Sequence, residues 1–302
     1  MRVSYAPGYN APIPRGHIFP MGKFNGLHRY LLEQGIIREY EVVEPGMVDM
    51  VHLLTVHTSG YAEGVMNGTL DKRAVRRLGL PWSCGLAVRS RLAVQGTINA
   101  ALMALQDGMA GNLAGGTHHA MPGYGEGFCV FNDVAVAIKV LQQSMWARRI
   151  LVLDCDVHQG NGTAAIFSGN PDVFTFSIHG EKNYPFKKPP STLDIGLPDR
   201  TGDRRYLQAL GDALDTIFDR FNPDLVFYLG GIDPLATDHF GRLSLTLKGL
   251  EERDRMVMER VIEHDKPLVL TLSGGYAPTL RETVEAHAVM YKAARQLECR
   301  YN

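Results

Sequence analysis

Leu151-Val152-Leu153-Asp154-Cys155-Asp156-Val157-His158-Gln159-Gly160-Asn161-Gly162 changes character halfway along its length. An apolar run stops at two alternating acids, then a histidine, then a glycine-rich turn that opens a helix. Side chains alternate across a strand, so Asp154, Asp156 and His158 are expected on one side. The carboxyl end of a parallel strand is where open α/β sheets bind ligands. Three metal-binding side chains gathered there imply a metal site, and with it hydrolytic or related metal chemistry.

The rest of the chain supplies a sheet for this motif to belong to. Apolar runs rich in β-forming residues occur near 3–5, 112–114, 150–153, 173–177, 225–229 and 268–272. Helical periodicity fills the spaces between, over roughly 89–106, 132–146, 204–221, 247–264 and 278–297. Strands alternating with helices of this length predict a parallel sheet covered on both faces. Continuously apolar strands agree, because such strands are buried on both faces. Two segments are expected as long irregular loops: 58–83, and 180–201 with Pro185, Pro189, Pro190 and Pro198. Loops of that length in a compact domain are usually functional or mobile. With no repeat and no linker, one domain is expected over 1–302.

Composition narrows the partners. A net charge of −1 over 302 residues, with Lys and Arg scattered, leaves no electrostatic footprint for nucleic acid. The local basic group Lys72, Arg73, Arg76 and Arg77 fits a solvated face. Cys84, Cys129, Cys155 and Cys299 form no C-x-x-C pair, and Cys129 and Cys155 suit buried apolar positions better than nucleophilic ones. The N-terminus lacks a signal-peptide apolar region, and no apolar run approaches the ~20 residues that span a bilayer. A reduced cytoplasmic enzyme, away from membranes, is the expectation.

Four further segments sit where the opening motif sits, just after an expected strand. They are Gly115-Gly116-Thr117-His118-His119 with Gly125-Glu126-Gly127-Phe128-Cys129 following, Phe176-Ser177-Ile178-His179, Leu229-Gly230-Gly231-Ile232-Asp233, and Leu272-Ser273-Gly274-Gly275-Tyr276. Together the five segments resemble the histone deacetylase family of zinc-dependent acyl-lysine hydrolases. The resemblance begins at Gly16-His17-Ile18-Phe19-Pro20-Met21-Gly22-Lys23 and runs over nearly the whole chain. In detail it is most similar to the class IV branch and its bacterial relatives. It implies the arginase/deacetylase fold, a three-layer α/β/α sandwich around a mainly parallel, eight-stranded sheet.

By the same resemblance, Asp156, His158 and Asp233 hold Zn²⁺, with Fe²⁺ as the alternative ion. Two carboxylates and an imidazole suit zinc and leave coordination positions open. His118 and His119 match the family's catalytic pair, His119 as acid and base and His118 as a standing positive charge. Asp154 orients His118. Asn161 orients His119, where many family members carry Asp. Tyr276 polarises the scissile carbonyl, and Gly274 and Gly275 let the chain turn its hydroxyl inward. Gly127 and Phe128 form one wall of an acyl-lysine tunnel, Tyr184 the other, and Phe240 its rim. Asp154, Asp156, His158, Ser177 and Ile178 match a potassium site. The implied substrate is an acylated lysine side chain or a related acylated amine, with the acyl length open. An acylpolyamine would call for an acidic rim, for which Glu126 and Asp238 are candidates. A noncatalytic acyl-lysine binder and a dimanganese ureohydrolase are the competing readings, the latter requiring bridging carboxylates beyond those seen.

Overall fold

The computed structural model describes residues 1–301, with side chains described through Glu298; Cys299 and Asn302 lie outside that description. In chain order the elements are β1 (Val3–Ser4), α1 (Lys23–Glu33), β2 (Val42–Val43), α2 (Met50–Leu53), α3 (Ser59–Asn67), α4 (Lys72–Leu78) and α5 (Cys84–Asp107). Then come β3 (Met109–Asn112), α6 (Asp133–Gln143), β4 (Ile150–Asp154), α7 (Asn161–Ile166), β5 (Val173–Gly180) and β6 (Leu193–Leu197). The chain ends with α8 (Asp203–Arg220), β7 (Leu225–Leu229), α9 (Leu247–Glu263), β8 (Leu268–Thr271) and α10 (Leu280–Tyr301).

The strands form one eight-stranded sheet in the order β2-β1-β3-β8-β7-β4-β5-β6, with every pairing parallel. Helices cover both sides. One layer holds α5 and α6, which pack on each other, with α5 against β3 and β8; the other is the run α1, α10, α9, α8. The expected three-layer arginase/deacetylase architecture is therefore present. All residues of β3, β4, β7 and β8 are buried, as the continuous apolar runs of β4, β7 and β8 implied.

Three sequence expectations need correcting. Segment 58–83 is not irregular but carries α3 and α4. Asp71 caps α4 by accepting from the Ala74 amide, and Gly68 and Gly79 end the two helices in left-handed conformation. Segment 180–201 contains β6, an edge strand whose residues are mostly part-exposed. The strand expected at 112–114 lies earlier, at Met109–Asn112, and Leu113 and Ala114 follow it as buried residues.

Candidate active site

Four neighbouring strands, β3, β8, β7 and β4, end side by side, and each sends one of the singled-out segments over the same edge. His118 and His119 follow β3, Ser273–Tyr276 follow β8, Asp233 follows β7, and Asp156 and His158 follow β4. The β4 ladder stops at Asp154, so strand alternation does not carry the motif further. A turn does: the Asp156 amide donates to Asp154 Oδ1 (3.1 Å) and the His158 amide to Asp156 Oδ1 (2.9 Å). Behind it, the wholly buried Arg253 donates to the carbonyls of Cys155 (3.2 Å) and Gly231 (2.6 Å), bracing the turns after β4 and β7.

Asp156, His158 and Asp233 bring one ligand atom each within 4.8 Å of one another, the one cluster of this kind among the described residues. His158 Nδ1 lies 3.0 Å from Asp156 Oδ1 and 3.2 Å from Asp233 Oδ2. The outer oxygens are tied back. Asp156 Oδ2 accepts from the Gly274 amide (2.7 Å) and Ser273 Oγ (2.8 Å), and Asp233 Oδ1 accepts from the Val157 amide (2.9 Å). Asp233 Oδ2 is buried and accepts no hydrogen bond. Burial, then the facing Asp156 carboxylate, push Asp233 up to about 7. Burial disfavours charge on His158, but Asp156 and Asp233 outweigh it and raise it to about 10. These residues fit a metal ion: a divalent cation would satisfy the orphaned oxygen, offset the paired carboxylates and replace the imidazole proton. Gly274 makes the cradle possible, because an added Cβ would lie 2.1 Å from Asp233 Oδ2 and 2.6 Å from Asp156 Oδ2.

The two histidines face each other across 3.2 Å between their Nε2 atoms. His118 Nδ1 meets Asp154 Oδ2 at 2.7 Å, and His119 Nδ1 meets Asn161 Oδ1 at 2.6 Å. Both partners expected from the sequence are thus in place. Their electrostatics diverge. Burial lowers both rings, but Asp154 and Asp156 overcome it at His118 and raise that ring to about 9. His119 has only a neutral amide, and burial with the neighbouring His118 and His158 holds it well below the usual imidazole value. The surroundings thus favour the charged form of His118 and the neutral form of His119. Asp133 fixes the loop that carries them, accepting from the amides of Gly116 (3.1 Å) and Thr117 (2.7 Å).

A cavity of about 390 Å³ opens onto this group, bordered by His118, His119, Phe128, Tyr184, Phe240 and Tyr276 among others. The Tyr184 ring stands edge-on to His119 (5.1 Å between centroids), and Phe240 edge-on to Tyr276 (4.8 Å). Phe128 adopts φ +65°, rare for a bulky residue. Its amide donates to Leu78 O (2.9 Å), and its ring packs where a Cβ on Gly79 would sit. The end of α4 therefore supports this wall of the cavity. Burial raises the Tyr276 hydroxyl well above its ordinary value, with the Asp233 carboxylate adding to the effect.

Not every expected residue reaches the cavity. Gly127 and Gly274 border it, whereas Gly275 lies behind the wall, against Ile232 and His287. Neither candidate for an acidic rim is free. Glu126 Oε1 accepts from Asn161 Nδ2 (2.6 Å), and Asp238 accepts from the amides of Tyr276 (2.7 Å), Phe240 (2.8 Å) and Gly241 (3.0 Å). Ser177 pairs in register with Asp154, and its hydroxyl meets His179 Nδ1 at 2.9 Å; Ile178 follows it on β5. Two buried cations on the cavity wall, Lys23 and Arg89, were not anticipated. Burial lowers them to about 8 and about 10 respectively. Arg89 had a readable signal, since it shares a helical face with Leu86, Ala93 and Thr97.

Residues 17–291 match the family described as histone deacetylase domain. A protein of Picosynechococcus sp. described as uncharacterized is 46% identical over 98% of this chain and 98% of its own length. Histone deacetylase 2 of Arabidopsis thaliana is 29% identical over 91% of this chain and 74% of its own. Among solved structures, an HDAC homolog complexed with SAHA superposes with a TM-score of 0.83 at 25% identity, covering 98% of this chain and 84% of that one. Among the described residues, no helix is long and apolar enough to cross a membrane.

Proposed function

We propose, from the premise that this chain belongs to the histone deacetylase family and is a hydrolase of amide bonds, that it removes an acyl group from an acylated lysine side chain or a related acylated amine with the help of zinc. The observation that carries this reading is the pair His118 and His119, 3.2 Å apart and backed by Asp154 and Asn161, in one cavity with Asp156, His158 and Tyr276, with Asp233 3.2 Å from His158. Asp156, His158 and Asp233 would hold the ion. When bound, zinc supplies Lewis acidity towards a carbonyl oxygen and a water.

The chain's own groups supply the rest. His119 gives its Nδ1–H as a hydrogen bond to Asn161 Oδ1, which leaves Nε2, the nitrogen that faces His118 Nε2 at 3.2 Å, as the basic atom to take a proton from the attacking water. The same atom then returns that proton to the departing amine nitrogen. His118, held protonated by Asp154, stabilises the negative charge that develops. The Tyr276 hydroxyl, strongly disfavoured from ionising, donates a hydrogen bond to the carbonyl oxygen as charge grows there. Phe128 and Tyr184 enclose the aliphatic stem, and Phe240 narrows the mouth. Asp154, Asp156, His158, Ser177 and Ile178 form a potassium site in the same proposal. Asn161 supports a class IV-like assignment and a single catalytic domain accommodates all these roles.

The test is a substrate panel on the zinc-loaded chain: acetyl-, medium-chain and long-chain acyl-lysine peptides beside acetylpolyamines. Release of free lysine side chains, lost on chelation and restored by zinc, is the expected result. Turnover confined to polyamines would refute the lysine assignment. Full activity of the chelated chain, or restoration by Fe²⁺ but not zinc, would refute the metal.

A further inference from the structure

Asn161 is the feature that the acid–base scheme leaves unexplained. An amide is a two-faced partner: turned one way it offers His119 an oxygen, turned the other way an NH₂ group. The first orientation gives the His119 Nδ1 proton an acceptor and so supports Nε2, which faces His118 Nε2 at 3.2 Å, as the base. The flipped amide would instead favour a proton on Nε2 and remove the base from the cavity. A carboxylate in this position would need no such control, since both of its oxygens accept.

The control sits on the other side of the amide. Glu126 Oε1 lies 2.6 Å from Asn161 Nδ2, while Asn161 Oδ1 lies 2.6 Å from His119 Nδ1. A carboxylate has no proton to give, so only the NH₂ end of the amide can face it. Flipping Asn161 would press its oxygen against the Glu126 carboxylate. Both Asn161 and His119 are buried, so water cannot readily take over either role. Glu126 is itself held by a backbone bridge to Cys129 and sits beside Gly127, where an added Cβ would come 2.5 Å from His119 Cδ2. The carboxylate also faces the Tyr184 hydroxyl, which burial and then Glu126 raise above its ordinary value.

We propose that Glu126 is a positioning residue that locks the Asn161 amide and thereby sets the tautomer of His119, so that a carboxylate acts on the base through an intervening amide. This rests on the functional reading above for its kinetic consequences, though not for the tautomer itself. Glu126 touches no reacting atom. Glu126 was a candidate for an acidic rim; its hydrogen bond to Asn161 points inward instead.

Two measurements test it. The first needs no substrate: ¹⁵N-histidine NMR of the zinc-loaded chain, with His119 assigned through His119→Gln. The wild type should show the Nδ1–H tautomer, E126A a mixture, and Y184F, which removes only the contact to the tunnel wall, the wild-type tautomer. An Nε2–H tautomer in the wild type, or an unchanged ring in E126A, would overturn the proposal. The second is a double-mutant cycle on kcat. E126A should lose about 10- to 100-fold, the range for an orienting hydrogen-bond partner. E126Q, whose carbonyl still accepts from Asn161, should lose about threefold, as a neutral acceptor replaces a charged one. N161D would set two carboxylates at hydrogen-bond distance and should be slow, whereas E126Q/N161D restores a donor between them and should be faster than N161D alone. Penalties that simply add would overturn the proposal. Should the tautomers behave as expected while no acylated amine is turned over, the functional reading fails and this inference stands.

Discussion

Replacing Gly274 by alanine is the most direct trial of the metal assignment. The added Cβ would stand 2.1 Å from Asp233 Oδ2 and 2.6 Å from Asp156 Oδ2. Ordinary contact begins near 3.4 Å, so at least one carboxylate must retreat by about 1.3 Å. Metal sites tolerate ligand displacements of only about 0.2 Å. Loss of an orienting partner alone typically costs about 10- to 100-fold in metal affinity. Displacing a ligand should reach or exceed the top of that range, which is about 2.7 kcal/mol of binding free energy. The assay is competition for Zn²⁺ against a chromophoric chelator, with melting of the metal-free chains compared alongside. Gly46→Ala is the control, because nothing lies within 4 Å of a Cβ there. A folded G274A chain that binds zinc within about threefold of the wild type would refute the idea that these carboxylates converge on one ion.

Other consequences are as definite. Asp154→Asn removes the main partner of the His118 cation, whose folded value near 9 stands above the ordinary 6.5. A raised pKa stabilises the fold fully below about 6.5, and that contribution is lost as pH climbs through about 9. The stability gap between metal-free wild type and D154N in urea should therefore narrow over that window; parallel curves would count against it. Tyr276→Phe should leave melting unchanged and cut turnover by about 10²- to 10³-fold, the usual loss for one oxyanion donor; an undiminished rate on the best acyl-lysine peptide would remove the tyrosine from the mechanism. Arg253→Met strands the buried Asp254 and two backbone carbonyls, so urea unfolding should show a loss of about 3–5 kcal/mol. A loss below about 1 kcal/mol would mean that the brace behind the ligand turns is dispensable.

The parts of the fold that were legible in the sequence are those buried on both sides. β4, β7 and β8 carry near-continuous apolar runs because helices cover both faces of the sheet at those positions. The two strands that no apolar run announced, β2 and β6, are the edges of the sheet, and their residues are largely part-exposed. Edge strands need less apolar surface, so their pattern fades into that of a loop. Segment 58–83, expected as a loop, carries two short helices of nine and seven residues, each ended by a left-handed glycine, Gly68 and Gly79. The pairs His118–Asp154 and His119–Asn161 were legible through the family resemblance rather than through spacing alone, and both lie at hydrogen-bond distance.

By itself, then, the stretch from Leu151 to Gly162 determined that a parallel strand ends in metal-binding chemistry, because residue type and strand periodicity are local properties of the chain. Tertiary structure alone decided that the alternation breaks at Asp154, that a turn delivers Asp156 and His158 to Asp233 from the neighbouring strand, and that Glu126 looks inward to Asn161. Lys23 and Arg89 were likewise decided there, since burial of a charge depends on what closes over it. Orientation and desolvation arise from contacts between distant segments, and no local pattern records them.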